Sequence, residues 1–254
     1  MAELIATKAV TKRFGGLTAV NRVDFAVQEG QVAGVIGPNG SGKTTLFNLL
    51  SGYFPPTEGT ITFRGQDITR LPPFARVGLG MSRTFQLVSV FPSLRVWENM
   101  VLSTLRFKNH QSKGAQFYFR RSQDRGVADH CLAALQSVGL EGKALLPTSQ
   151  LSYGDKRKLE IAMALSLRPR LLLLDEPLAG LSDHEIAEVL GLIHQVKKDF
   201  TLVIIEHKIS KIVDLVERLS VMNEGRIIAE GVPAQVLSDP AVRECYWGKE
   251  EARC

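Results

Sequence analysis

The sequence predicts an α/β protein built on a parallel sheet, with a block of helices set into it. Short apolar runs such as "QVAGVIG", "RLLLLDEP" and "TLVIIEH" are β-rich and stop at Gly, Pro or charged residues. Segments with helical apolar spacing follow them, among them "KTTLFNLLSG", "DHEIAEVLGLIHQVKKD" and "ISKIVDLVERL". Repeated strand–helix units of this kind imply parallel strands with helices on the sheet faces.

Taken in order, "LIATKAV" and "VDFAVQEG" alternate or run apolar and then break, as short strands joined by turns do. "QVAGVIG" ends in a Gly-rich loop, and the helical spacing that follows it stops at Gly52. "PPTEGTITFRGQDIT" reads as a turn, a strand, a second turn at Gly65–Gln66 and another short strand. Between about residues 90 and 150 the pattern becomes helical, in "SLRVWENMVLSTLRF" and "RGVADHCLAALQSVGL". The polar, basic stretch between them, "KNHQSKGAQFYFRRSQDR", is expected to be a surface loop. Another helix starts near residue 151, and strand–helix alternation then resumes through "SVMNEGRIIAEG".

The 254 residues suffice to bury a core without covalent staples. A net charge of +5 is a mild excess that suits a solvated surface, an anionic ligand or a membrane-surface partner. Cys131, Cys245 and Cys254 are odd in number and widely spaced, which excludes a zinc or redox-pair pattern and suggests a reducing compartment. "MAELIATKAV" does not read as a signal peptide, and no run reaches the ~18 apolar residues of a membrane helix. A cytosolic location is expected, with docking onto a membrane protein still open.

"GPNGSGKTT" matches G-x-x-x-x-G-K-[ST] from Gly37 through Pro38, Asn39, Gly40, Ser41, Gly42, Lys43 and Thr44, with Thr45 next. It follows an apolar strand and opens a helix, the context in which such a loop wraps phosphates with backbone N–H groups and the positive helix end. Lys43 then suits the β/γ-phosphates, and the Thr44 hydroxyl suits Mg²⁺. In "LLLLDEP", Asp175 and Glu176 stand just past an apolar strand, at the carboxyl edge where ligands of open α/β sheets bind. Asp175 can serve Mg²⁺ and Glu176 can polarise the attacking water. No Asn-Lys-x-Asp occurs, so a guanine-specific site is not expected.

"LSYGDKRKLE" carries a possible capping box, Ser152-x-x-Asp155, in which each side chain would satisfy the other's backbone N–H. Asp155 is out of place at a helix start that meets phosphate, unless it points away. Lys156, Arg157 and Lys158 are expected to offset its field.

With these motifs in order, the chain resembles the ATP-binding subunits of ABC transporters over nearly its whole length. Phe14, in "TKRFGG", matches the aromatic that stacks on adenine; "GPNGSGKTT" the Walker A loop; Gln86, in "SRTFQ", the Q-loop glutamine; "LSYGD" the LSGGQ signature; "LLLLDEP" Walker B; "AGLSD" the loop that follows it; and His207, in "VIIEH", the switch histidine. The resemblance implies a P-loop NTPase core with a parallel sheet, an N-terminal antiparallel β subdomain and an inserted helical subdomain. Residues 1–254 would form one domain, with about 91–159 helical and about 1–90 and 160–254 the α/β core with its β subdomain. Glu176, His207 and Gln86 would be catalytic, and Thr44, Gln86 and Asp175 would serve Mg²⁺. Ser152 and the N–H groups around Gly154 would face the γ-phosphate of an ATP held by a second, head-to-tail ATPase subunit, since one chain has one phosphate loop and one signature.

"SRTFQLVSVFPSLRVWENM", "LEIAMAL" and the ending through "CYWGK" look like the longer ATPase subunit of branched-chain amino acid importers. That implies two membrane permeases and, indirectly, a periplasmic binding protein, with no nucleic-acid partner. Phe91, Leu94 and Trp97 would anchor a permease helix. Importers of urea, amides or aromatic acids share these features, and a soluble ABC-type ATPase is the alternative outside transport.

Overall fold

The computed structural model describes residues 2–84, 89–104 and 125–247. Gln86, most of the basic stretch between the first two predicted helices, and Cys254 lie outside the described residues. The chain divides into two compact units, Met1–Arg83 with Arg170–Leu178 and His194–Cys254, and Thr84–Pro169 with Ala179–Ile193.

The first unit holds two sheets. β1 (Glu3–Phe14), β2 (Leu17–Gln28), β4 (Glu58–Phe63) and β5 (Gln66–Asp67) form an antiparallel sheet in the order β2-β1-β4-β5. The second is six-stranded, from β3 (Val32–Ile36), β6 (Met81–Arg83), β7 (Leu171–Asp175), β8 (Thr201–Ile205), β9 (Arg218–Asn223) and β10 (Arg226–Gly231). Its order is β10-β9-β3-β8-β7-β6, parallel except for the β9–β10 hairpin. Every residue of β3, β7 and β8 is buried, which is why these strands read as unbroken apolar runs rather than alternating ones. Between the sheets, helix α1 (Lys43–Ser51) contributes Leu46, Phe47, Leu49 and Leu50 to a core shared with Ile5, Val10, Phe25, Ile61 and Leu173.

Helix α2 (Pro73–Gly78) carries Arg76, which is 1 % exposed. Its guanidinium donates to the carbonyls of Leu49 and Leu50 at 2.7 Å each, and also to those of Ile68, Thr69 and Leu71. Leu49 and Leu50 lie in the last turn of α1, where carbonyls lack helical partners and the helix dipole favours a cation. Burial pulls the Arg76 pKa down to about 10, with Asp67 acting the other way.

The second unit packs α3 (Val96–Thr104), α4 (Arg125–Ser137) and α5 (Tyr153–Ser166) around Val96, Met100, Cys131, Leu135, Leu159 and Ala162. Asn99 is fully buried and satisfied: it accepts from Phe91 N–H and donates to Phe91 O, Arg95 O and Thr148 Oγ1. It thereby holds the segment that presents Phe91, which is 55 % exposed. Leu94 and Trp97 are only partly exposed. Helix α6 (Asp183–Val196) has its residues through Ile193 in this unit.

The helix predicted for "ISKIVDLVERL" is shorter than its spacing suggests. α7 covers only Ile209–Ile212. Ile212, Leu215 and Val216 are buried, and the Glu217 amide donates to Val32 O at 2.8 Å, so the chain is drawn into β9 beside β3. The chain ends in α8 (Pro233–Ser238) and α9 (Pro240–Trp247).

Replacing Arg76 with Met leaves the α1 carbonyls buried without their donor. Loss of one partner of such a buried charged network costs on the order of 3–5 kcal/mol. Thermal unfolding is expected to fall by roughly 10 °C, and a melting temperature within 2 °C (about 0.5–1 kcal/mol) of wild type would refute the capping role.

Candidate active site

Strand order assembles the site. In sequence, β7 precedes β8, but in the sheet β8 lies between β3 and β7, all three parallel. Their carboxyl ends therefore face the same edge side by side. β3 delivers Gly37 to Thr45, β7 delivers Asp175 and Glu176, and β8 delivers Glu206 and His207.

The loop after β3 closes on its own lysine. Lys43 Nζ donates to Gly37 O at 2.8 Å, Pro38 O at 2.9 Å and Ser41 Oγ at 3.5 Å. Gly42 caps α1 with φ 102°, and a Cβ there would lie 2.4 Å from Ala19 O, so only glycine fits. No side chain caps α1 and no acid occupies its first turn, which leaves the positive helix end to a ligand. Burial lowers the Lys43 pKa, opposed by the charges of Glu176 and Asp175. Thr44 is exposed. Phe14 is 46 % exposed, which excludes a core role; its ring meets Phe54 edge-on at 5.3 Å and lies under Lys12 Nζ at 5.2 Å.

Asp175, the last residue of β7, and Glu176 after it are both buried. Glu176 has φ 48°, a left-handed conformation uncommon for a residue with a Cβ, and its N–H donates to Ile205 O. This geometry turns its carboxylate toward His207, with Nε2 2.7 Å from Glu176 Oε1. Two predicted catalytic residues from neighbouring strands thus touch.

Two residues went unassigned in the sequence. Glu206 accepts from Leu178 N–H at 2.8 Å and from His207 N–H at 3.1 Å, pinning the segment after Glu176 to the one that carries His207. Burial raises its pKa. The signal available was an acid directly before the histidine. The second is Arg83, whose guanidinium meets Asp175 at 2.7 Å.

In the second unit, Ser152 caps α5 by accepting from Asp155 N–H at 3.1 Å. The reciprocal half of the predicted box is replaced. Asp155 turns away to pair with Lys143 at 2.5 Å and Lys158 at 3.1 Å. Burial pushes its pKa up, but these lysines outweigh that and hold it below the usual carboxylate value. Arg157 does not serve Asp155. It is fully buried against Glu160 at 2.8 Å. The Gly154 amide, expected to face outward, donates to Glu185 Oε1 at 3.0 Å.

The donor set fits a nucleotide with a divalent cation. Thr44 and Asp175 offer hard oxygens, and Mg²⁺ takes few protein ligands when phosphates supply the rest.

The family described as "ABC transporter" matches residues 20–179. The chain belongs to the ABC transporter family of ATP-binding subunits. Its activity is ATP binding and hydrolysis, on the cassette fold. A second family, described as "Branched-chain amino acid ATP-binding cassette transporter", matches residues 226–252. The chain is 37% identical to the high-affinity branched-chain amino acid transport ATP-binding protein LivG of Salmonella typhimurium, covering 97% of this chain and 98% of LivG. Among solved structures, it is similar to an ATP-binding cassette of an ABC transporter in its ADP conformation. That match has a TM-score of 0.84 and 30% identity, over 98% of this chain and 100% of the other. It is also similar to a dimeric ATP-binding cassette in a post-hydrolysis state bound to ADP and Pi, with a TM-score of 0.73 and 25% identity over 90% and 98% of the two chains.

Asp155→Gln removes two charged contacts, one of them to a half-exposed lysine, and is expected to destabilise this cassette by about 1–2 kcal/mol. ATP turnover stays at or above the wild-type rate. Because the folded carboxyl binds protons less readily than the unfolded one, its contribution is full above the unfolded value. It disappears as pH falls through the lower folded pKa. Denaturant titrations at pH 7 and in acid check this; a stability gap that persists in acid would contradict it.

Proposed function

We propose that this cassette is the ATP-hydrolysing subunit of an importer for branched-chain amino acids, working at the cytoplasmic face of the cell membrane. The observation that carries the reading is similarity to LivG over 97% of the chain, joined by the separate match at residues 226–252. No helix among the described residues is long and apolar enough to cross a membrane, and in this reading passage through the bilayer falls to partners. Those partners are two permeases, fed by a periplasmic binding protein, with the exposed Phe91 and its neighbours Leu94 and Trp97 as the permease contact. Residues 1–254 act as one domain with an α/β core and a helical subdomain.

In this reading Phe14 stacks on adenine, and Gly37, Pro38, Asn39, Gly40, Ser41, Gly42, Lys43, Thr44 and Thr45 hold the phosphates. To do so, Lys43 exchanges its bonds to loop carbonyls for phosphate oxygens. Thr44 and Asp175, with Gln86, hold Mg²⁺, which when bound neutralises charge on the phosphates. Glu176 takes the proton of the attacking water, and its contact with His207 aligns both groups at the γ-phosphate. Ser152 and Gly154 serve the nucleotide of a second, head-to-tail ATPase subunit. For Gly154 that requires its amide to leave Glu185.

Glu176→Gln is expected to keep ATP binding, slow hydrolysis roughly 10²–10⁴-fold and give an ATP-dependent dimer in size-exclusion chromatography with light scattering. Normal turnover would remove Glu176 from the mechanism. Lys43→Ala should lose nucleotide affinity, measured by fluorescent-nucleotide titration. Reconstitution with the two permeases and the binding protein should drive ATP-dependent leucine uptake; uptake of urea or an aromatic acid instead would reassign the substrate.

A further inference from the structure

The α1 helix presents Thr44, Asn48 and Ser51 at i, i+4 and i+7, so all three share one face. Arg83, the last residue of β6, reaches that face. One guanidinium nitrogen donates to Asn48 Oδ1 at 2.7 Å and Ser51 Oγ at 2.8 Å. The other donates to Asp175 Oδ2 at 2.7 Å. The group lies against the buried Phe47 ring, with its central carbon 5.7 Å from the ring centroid. The ion pair is closed to solvent, its side chains being 8 % and 2 % exposed.

We propose that Arg83 is a positioning residue for the divalent cation: a buried strut that holds the Asp175 carboxylate against the helix face bearing Thr44. Two of the oxygens assigned to the metal, those of Thr44 and Asp175, sit on different elements, α1 and the end of β7, and Arg83 is bonded to both elements at once. A planar guanidinium with five donors in a fixed fork can do this, whereas a lysine ammonium is a point charge on a flexible stem. Arg83 therefore fixes the α1–Asp175 spacing without itself touching nucleotide or metal. Lys43 is held by other contacts, to Gly37 O and Pro38 O, so the loss of Arg83 falls first on the spacing of the metal oxygens. The inference rests on the assignment of Asp175 to Mg²⁺ made above.

The test measures binding of a fluorescent ATP analogue to the full chain, in EDTA and across a Mg²⁺ titration. Arg83→Met is expected to keep the EDTA affinity within about twofold while raising the Mg²⁺ concentration for half-maximal tightening at least tenfold. Arg83→Lys, which keeps the charge at Asp175 but not the fork, should fall between. Asn48→Ala cuts the strut at its partly exposed end and leaves Asp175 covered; it should raise the Mg²⁺ requirement about threefold even where Arg83→Met fails to fold. Equal losses with and without Mg²⁺ would make Arg83 merely structural, and an unchanged or lower Mg²⁺ requirement would also overturn the proposal. Asp175→Asn separates the two levels. If it leaves the Mg²⁺ requirement unchanged, the assignment of Asp175 falls and the strut with it. If it raises the requirement while the Arg83 and Asn48 variants do not, only the strut falls.

Discussion

The site depends on one pairing constraint: β8 inserts between β3 and β7, and all three run the same way. Parallel strands present their carboxyl ends on a common edge, and adjacency sets those ends one strand spacing apart, about 5 Å. The phosphate loop, the acidic pair and the histidine are then neighbours without any long excursion of chain. Had β7 paired directly with β3, His207 would stand beyond Asp175, away from the phosphate loop. The 2.7 Å contact between Glu176 and His207 needs only that β7 and β8 be neighbours.

Charge burial around this edge is handled by pairing rather than exclusion. Arg83 meets Asp175, Arg76 meets the carbonyl end of α1, and Glu206 accepts backbone amides from the segments after β7 and β8. A buried pair is weak evidence of net stability, because desolvation opposes the attraction. What such pairs do supply is geometry, since each group has few orientations that satisfy its partners. At an edge where several carboxylates and a lysine must keep their places, that restriction matters more than the net energy.

Much of this was legible in the sequence, and the remainder was hidden for identifiable reasons. Each motif sat just past an apolar run, so its place at a strand end could be read from Gly37, Asp175 and His207 alone. The short N-terminal strands and the helical block also follow from local pattern, whereas the antiparallel pairing of those strands was an expectation from the family resemblance. Strand order did not, because apolar runs of equal length carry no label for their neighbour. Arg76 and Arg83 read as ordinary charged residues, since burial of an arginine depends on carbonyls and carboxylates brought from distant positions. The spacing of Ile209, Ile212, Val213 and Val216 is helical, yet pairing of β9 with β3 overrides it after one turn. Periodicity reports what a segment can do alone, and tertiary pairing decides between candidates of similar local energy.

The signature segment joins these strands of reasoning. In the proposed function, the glycine at position 154 would allow close approach of a phosphate. In this fold the position also lies against a side chain of the same chain. A Cβ at Gly154 would lie 2.5 Å from Glu185 Oε1 and 2.8 Å from its Cγ. Glu185 in turn accepts from the Ser182 amide and hydroxyl, closing a capping box at the start of α6. These hydrogen bonds, those of Ser182 first and that of Gly154 after them, hold the carboxyl below its usual pKa, so it remains an anion at neutral pH. A carboxylate at a helix N-terminus occupies the position that suits any anion. The start of α5 therefore has an internal anion in place, and its Gly154 amide already has a partner. Glycine at 154 serves the helix pair within one subunit first, and whatever it does for a second subunit must begin by exchanging that bond.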